Sequence, residues 1–163
     1  MVTTTIRQTV TFHATPSQVF DVLMDARKHQ GLSGRPAHIS KKIGAKFTTR
    51  GARVRGYNLV VKRGKKIVQA WRAKGWPTDH YSIATFDLAK VRGGTRLHFT
   101  QLGVPPDRHS GHYREWIEDY WAPIKEMLAS DDASAEPRKR VRAKKPHLIH
   151  RRKLRRRRAI ERR

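Results

Sequence analysis

I-V-Q-A-W-R-A-K-G-W-P (67–77), H-Y-S-I-A-T-F-D-L (80–88) and G-G-T-R-L-H-F-T-Q-L-G-V-P (93–105) decide how this chain folds. Each reads as a strand with a marked end. Gly75, Trp76 and Pro77 stop the first, because proline has no amide to give to a ladder. Gly93-Gly94 makes the tight turn between the second and the third, since glycine takes positive φ at no steric cost. Pro105-Pro106 closes the third. With Trp71 inward, alternation places Ile67 and Gln69 on the same face. Ala84, Phe86 and Leu88 then face inward on the second strand, and Leu97, Phe99 and Gln101 on the third.

Working outward, residues 3–13 alternate through Ile6, Gln8, Val10 and Phe12 as a half-buried strand does. Thr15, Pro16 and Gln18 then form a capping box with proline at the first helical position. Val19, Phe20, Leu23 and Met24 follow at helical spacing. A second short helical piece spans residues 27–32, ended by Gly31 and Gly34. From Ala37 onward Gly44, Gly51, Gly56 and Gly64 cut the chain into a meander with strands near 46–50, 53–62 and 67–73. Strands near 81–88 and 95–104 complete the sheet. Tyr113, Trp116, Ile117, Tyr120, Trp121, Ile124, Met127 and Leu128 repeat at three and four residues, which predicts a long helix kinked at Pro123. One strand, two helices, six strands and a long helix is the order of an α+β helix-grip fold (START-like, Bet v 1-like), a curved antiparallel sheet around its C-terminal helix.

The words Trp71-Arg72, Trp76-Pro77, His80-Tyr81-Ser82, Gly93-Gly94-Thr95 and Thr100-Gln101-Leu102-Gly103-Val104-Pro105 resemble, in order, the domain that ends the activator of heat shock protein 90 ATPase. That domain belongs to the START-like, or polyketide cyclase-like (SRPBCC), superfamily, and the resemblance covers residues 5–130. It implies a helix-grip fold and a chaperone or other protein as partner. One position departs from the pattern: this chain has Gly51-Ala52 where many relatives have two glycines.

Composition bounds the rest. A chain of 163 residues makes one domain able to bury roughly two thirds of its unfolded surface. The absence of cysteine excludes disulfides, thiolate catalysis and cysteine-ligated zinc. No stretch approaches the ~20 apolar residues that span a bilayer, and the first residues lack the apolar run of a signal peptide. A cytoplasmic protein without membrane insertion is expected.

The net charge of +24 is unevenly spread. Residues 137–163 hold fifteen Lys and Arg, eleven of them Arg, against the single acid Glu161. The expectation is a domain over 1–130, a polar linker over 131–137 and a disordered basic tail over 138–163, which buries too little apolar surface to offset its chain entropy. Arg151, Arg152, Lys153, Arg155, Arg156, Arg157 and Arg158 are its densest run and the candidate contacts to nucleic acid. With no aromatic side chain and no base-reading motif, such contact is non-specific.

Within the domain, Gln69 and Gln101 stand out among inward residues, because burying an unpaired amide is costly. They either pair with neighbours or anchor a ligand in a cavity between sheet and helix. Gln69, Trp71, Phe86, Phe99, Gln101, Trp116 and Tyr120 are the candidate lining of that cavity. His109 and His112 form an H-x-x-H pair without a carboxylate at zinc-enzyme spacing, and read as a surface loop. His80 reads as a strand-edge residue. No Ser-His-Asp or paired-carboxylate pattern can be argued from spacing, and no catalytic residue, metal or cofactor is expected. The function expected is a non-catalytic domain that binds a protein partner, with a tail for nucleic acid. The alternative is a carrier or sensor of a small hydrophobic ligand. The superfamily also contains cyclases and hydrolases, which these residues do not support.

Overall fold

The computed structural model describes residues 1–135, and the basic run 138–163 lies outside them. Six strands form one antiparallel sheet in the order β1-β6-β5-β4-β3-β2. In chain order these are β1 (Thr4–Phe12), β2 (Lys46–Thr49), β3 (Val54–Lys62), β4 (Lys66–Ala73), β5 (Ser82–Val91) and β6 (Gly94–Val104). Helices α1 (Pro16–Met24) and α2 (Ala26–Ser33) join β1 to β2. The C-terminal helical arm runs as α3 (His109–Glu115), a π-helical turn (Trp116–Trp121) and α4 (Ala122–Ala135). Five strands rather than six follow the helices. They match the five ranges read from the sequence, and a single isolated bridge joins His38 to Thr48 beside β2.

Pairing follows the inward alternation. Ile67 sits opposite Phe86 and Phe86 opposite Phe99, while Ala84 lies between Gln69 and Gln101. All nine positions read as inward are buried. The N-terminal cap of α1 forms as its residues require: the Gln18 amide donates to Thr15 Oγ1 at 3.2 Å, and the Thr15 amide donates to Gln18 Oε1 at 2.8 Å. Val19, Phe20, Val22, Leu23 and Met24 thereby enter the core.

The C-terminal arm departs from a plain amphipathic helix. The Ala122 amide reaches back five residues to the Ile117 carbonyl, just before Pro123, which has no amide to give. This wider turn takes the place of the simple proline kink. It brings Trp116, Tyr120 and Trp121 all onto the sheet. Tyr113 and Ile117, read as part of the apolar stripe, are instead 39% and 44% exposed, because a π turn rotates the residues before it relative to those after it. The helix also continues through Asp131 to Ala135, residues read as linker, since neither glycine nor proline interrupts it before Pro137.

Candidate functional site

The inner face of the sheet and the helical arm enclose an aromatic core. Trp116 lies 4.2 Å from Phe99, 4.3 Å from Tyr120 and 5.3 Å from Trp121, measured between ring centroids. Such packing leaves little room. The space open to a water-sized sphere between sheet, α1 and the arm is about 20 Å³, room for about one water molecule. A drug-sized ligand takes about 300–1,000 Å³. Gln69, Trp71, Phe86, Trp116 and Tyr120 border this remnant. Phe99 and Gln101 do not. Phe99 is packed among Phe86, Trp116 and Trp121, and Gln101 is consumed by hydrogen bonds.

Those bonds show how the two buried amides are satisfied. Trp116 Nε1 donates to Gln101 Oε1 at 2.8 Å, Gln101 Nε2 to Ser82 Oγ at 2.9 Å, and Ser82 Oγ to the Trp71 carbonyl at 2.9 Å. One chain of donors thus ties the π turn to β6, β5 and β4. Gln69 Nε2 donates to Asn58 Oδ1 at 3.1 Å, and Asn58 Nδ2 donates to the carbonyls of Ser40 and Lys42. Both glutamines are structural fasteners. Two further polar groups face the remnant chamber without a hydrogen bond: His29 Nδ1 and the Tyr120 hydroxyl, which sits beside Thr49 and Arg50. Burial pushes the His29 ring down to about 4, so it is neutral near pH 7. Burial likewise raises the Tyr120 phenol to about 12.

The rim of the grip is charged. The turn between β2 and β3 holds Arg50, Gly51 and Ala52 at φ of 54°, 65° and 64°. Only glycine adopts that left-handed region freely, so Arg50 and Ala52 carry backbone strain. The Arg50 side chain reaches the arm, donating to Asp119 Oδ2 at 2.7 Å and covering the Tyr120 ring with its guanidinium 5.7 Å from the centroid. Burial opposes its charge, but Tyr120 and Asp119 outweigh that and raise its pKa. A cleft of about 330 Å³ opens beside it, lined by Arg50, Arg53, Val54, Trp71, Lys74 and Glu115, with Ala73.

His112 stands at the inner end of this rim. It is buried on α3 rather than on a surface loop, because Trp71 and Trp76 pack on it at 4.8 and 5.4 Å between ring centroids. Its Nδ1 is 3.1 Å from Glu115 Oε2, and that bond holds the Glu115 carboxyl below its ordinary range. His109 instead bonds the Thr5 carbonyl at 3.3 Å, so the H-x-x-H pair is split between two environments. Among the described residues no three His, Asp or Glu side chains converge as a metal site requires. His80 Nε2 bonds the Gly103 carbonyl at 2.7 Å, tying the loop before β5 to β6.

Asn58, Thr49 and His29 were absent from the sequence-based set. Extending the alternation of β4 to its neighbour would have found Asn58, which pairs with Gln69. Arg50 and His29 come from a turn and a short polar helix, where no period marks an inward residue.

The family model for Activator of Hsp90 ATPase homolog 1-like protein matches residues 13–129. The chain belongs to this family. It is 25% identical over 126 residues to the activator of 90 kDa heat shock protein ATPase homolog 2 of Mus musculus, covering 77% of this chain and 38% of that protein. With homolog 1 of Homo sapiens it shares 27% identity over 118 residues, covering 72% and 35%. The chain therefore spans little more than a third of the length of these curated relatives. A solved HSP90 activator from Plasmodium falciparum has the same fold, with a TM-score of 0.73 and 22% identity, covering 77% of this chain and 96% of that one.

Proposed function

We propose that this domain is a non-catalytic, cytoplasmic module that binds a chaperone of the heat shock protein 90 class. Its family relatives carry the name of that chaperone's ATPase activators. The observation that carries the reading is the filled interior of the grip. With about 20 Å³ left, both glutamines engaged and four aromatic rings packed together through the centre, recognition falls to the outer surface. A carrier of a hydrophobic ligand would need an interior more than ten times larger. No helix of the described residues is long and apolar enough to cross a membrane.

The test is binding of the full chain to purified heat shock protein 90, by calorimetry at about 300 mM salt, where screening weakens contacts through the basic run. Saturable binding with a change in the chaperone's ATPase rate is expected. No binding at any salt concentration overturns the reading, and a lipid or aromatic molecule retained in native mass spectra would restore the carrier alternative.

A further inference from the structure

We propose that the cleft between the β2–β3 turn, the end of β4 and α3 receives an acidic segment of a protein partner, with Arg53 and Lys74 as the cations that meet its carboxylates; this deepens the partner-binding reading above and rests on it. Four observations converge there. Arg53 and Lys74 both line the cleft, and neither forms a salt bridge among the described residues. Their backbones are clipped together where β3 begins and β4 ends, the Lys74 amide donating to the Arg53 carbonyl at 2.7 Å. The cleft's own acid is already engaged, since Glu115 accepts from His112, and Asp119 behind it is held by Arg50. Glu115 is thus the single carboxylate lining the cleft, and neither Arg53 nor Lys74 has a carboxylate within salt-bridge distance among the described residues.

Strain is the fourth observation. Arg50 and Ala52 hold left-handed backbone where glycine would sit without cost. The conformation anchors Arg50 on the arm and leaves Arg53, at the other end of the turn, on the open side. A strained corner retained at the rim of a cleft is the pattern expected where geometry serves recognition.

The lining also selects the kind of anion. Val54, Ala73 and Trp71 give the cleft a small apolar floor within a mainly polar lining, and ionised Glu115 interrupts its positive wall. A phosphodiester backbone needs a continuous basic track. Acidic side chains interspersed with apolar ones match both parts: carboxylates for Arg53 and Lys74, and a small apolar side chain for the floor.

The probe is a synthetic peptide alternating Glu with Leu, alongside its Gln-for-Glu counterpart, titrated into isotopically labelled full-length protein at about 150 mM salt. Amide shifts are expected at residues 50–54, 74 and 115 with the acidic peptide and not with its neutral counterpart. The double variant Arg53→Glu/Lys74→Glu should weaken binding at these amides by about tenfold or more. Charge reversal at Lys90 and Arg96, which lie outside the cleft, should leave it unchanged. Shifts confined to residues 137–163, or duplex DNA moving the cleft amides in preference to the peptide, would overturn the proposal.

The same double variant separates this inference from the reading beneath it. If purified heat shock protein 90 binds both proteins equally, the cleft assignment falls while chaperone binding stands. If the peptide binds the cleft but the chaperone does not bind at all, the reverse holds.

Discussion

Arg50 donates to the carboxylate of Asp119 at 2.7 Å, and this bond joins the two irregular pieces of backbone in the domain's rim. Arg50 belongs to the left-handed corner between β2 and β3, and Asp119 to the π turn of the arm. Each irregularity displaces its residue from where a regular hairpin or α-helix would put it. The pair is partly exposed, with side chains at 23% and 40%, so solvent screens it.

Removing the carboxylate by Asp119→Asn should therefore cost about 0.5–1 kcal/mol, and Arg50→Ala more, since its guanidinium also covers Tyr120. The double variant should lose less than the sum. Urea denaturation of the four proteins measures this coupling, and strict additivity would show that the bond does not fasten turn to arm.

The donor chain from Trp116 through Gln101 and Ser82 to the Trp71 carbonyl makes a second prediction. All of its side chains are buried, so each single change leaves an orphaned group. Trp116→Phe strips the donor from Gln101 Oε1, and Gln101→Leu strips the acceptor from the Trp116 indole. Either should cost about 1–3 kcal/mol for the unpaired group alone. Making both changes removes donor and acceptor together, so the double variant should be more stable than the singles imply. Independent losses would mean that water already serves these groups.

How legible the domain was in its sequence differs from strand to strand. In β4, β5 and β6 an inward residue recurs at every second position, and the Gly93-Gly94 turn pins the register between the last two. Those three strands could be read residue by residue. Gly56 could not. It counts among the turn signals although the strand read near 53–62 spans it, and it lies inside β3 opposite Trp71, where an added Cβ would stand 1.9 Å from the Ala70 carbonyl oxygen. Its job is close approach of Phe47 and β4, which sequence spacing does not encode. The arm shows the same limit. Its apolar stripe was visible, but 3.6-residue periodicity presumes an unbroken α-helix, so it placed Tyr113 and Ile117 in the core. The rim was least legible, because Arg50, Arg53, Lys74 and Glu115 come together only through tertiary placement.

His29 supplies a pH dependence with a definite sign. Its folded-state pKa is lowered to about 4 from 6.5 because burial disfavours the imidazolium. Above pH 6.5 both folded and unfolded forms are neutral, and the contribution to stability is complete. Between pH 6.5 and 4 the unfolded chain takes up a proton that the folded one refuses, so stability falls as pH falls, by about 3 kcal/mol at most. Asp25 and Glu115, whose carboxyls are held below their ordinary values by the Lys28 amide and by His112, lose their share at still lower pH. His29→Leu should flatten the slope of unfolding free energy between pH 6.5 and 4.5 and leave the steeper acid limb. An unchanged slope would place a charged or solvated imidazole in the native state.

The last prediction concerns residues 137–163, whose net charge of +14 requires no structure to act. Eleven arginines and four lysines would meet a polyanion by releasing its counterions, so any affinity for nucleic acid should fall steeply with salt. If about 6–10 of them contact phosphates, the loss between about 50 and 200 mM salt is about 10³–10⁵-fold. Without an aromatic residue in that stretch there is nothing to stack on bases, so duplexes of unrelated sequence should bind alike. Residues 1–136 carry +10, enough for a weak remnant after deletion of 137–163. Fluorescence anisotropy with labelled duplex DNA and structured RNA, on the full and shortened chains, measures both parts. Equal affinity of the two proteins would move the contact onto the folded domain, while strong sequence preference would require a reading element that the basic run does not possess.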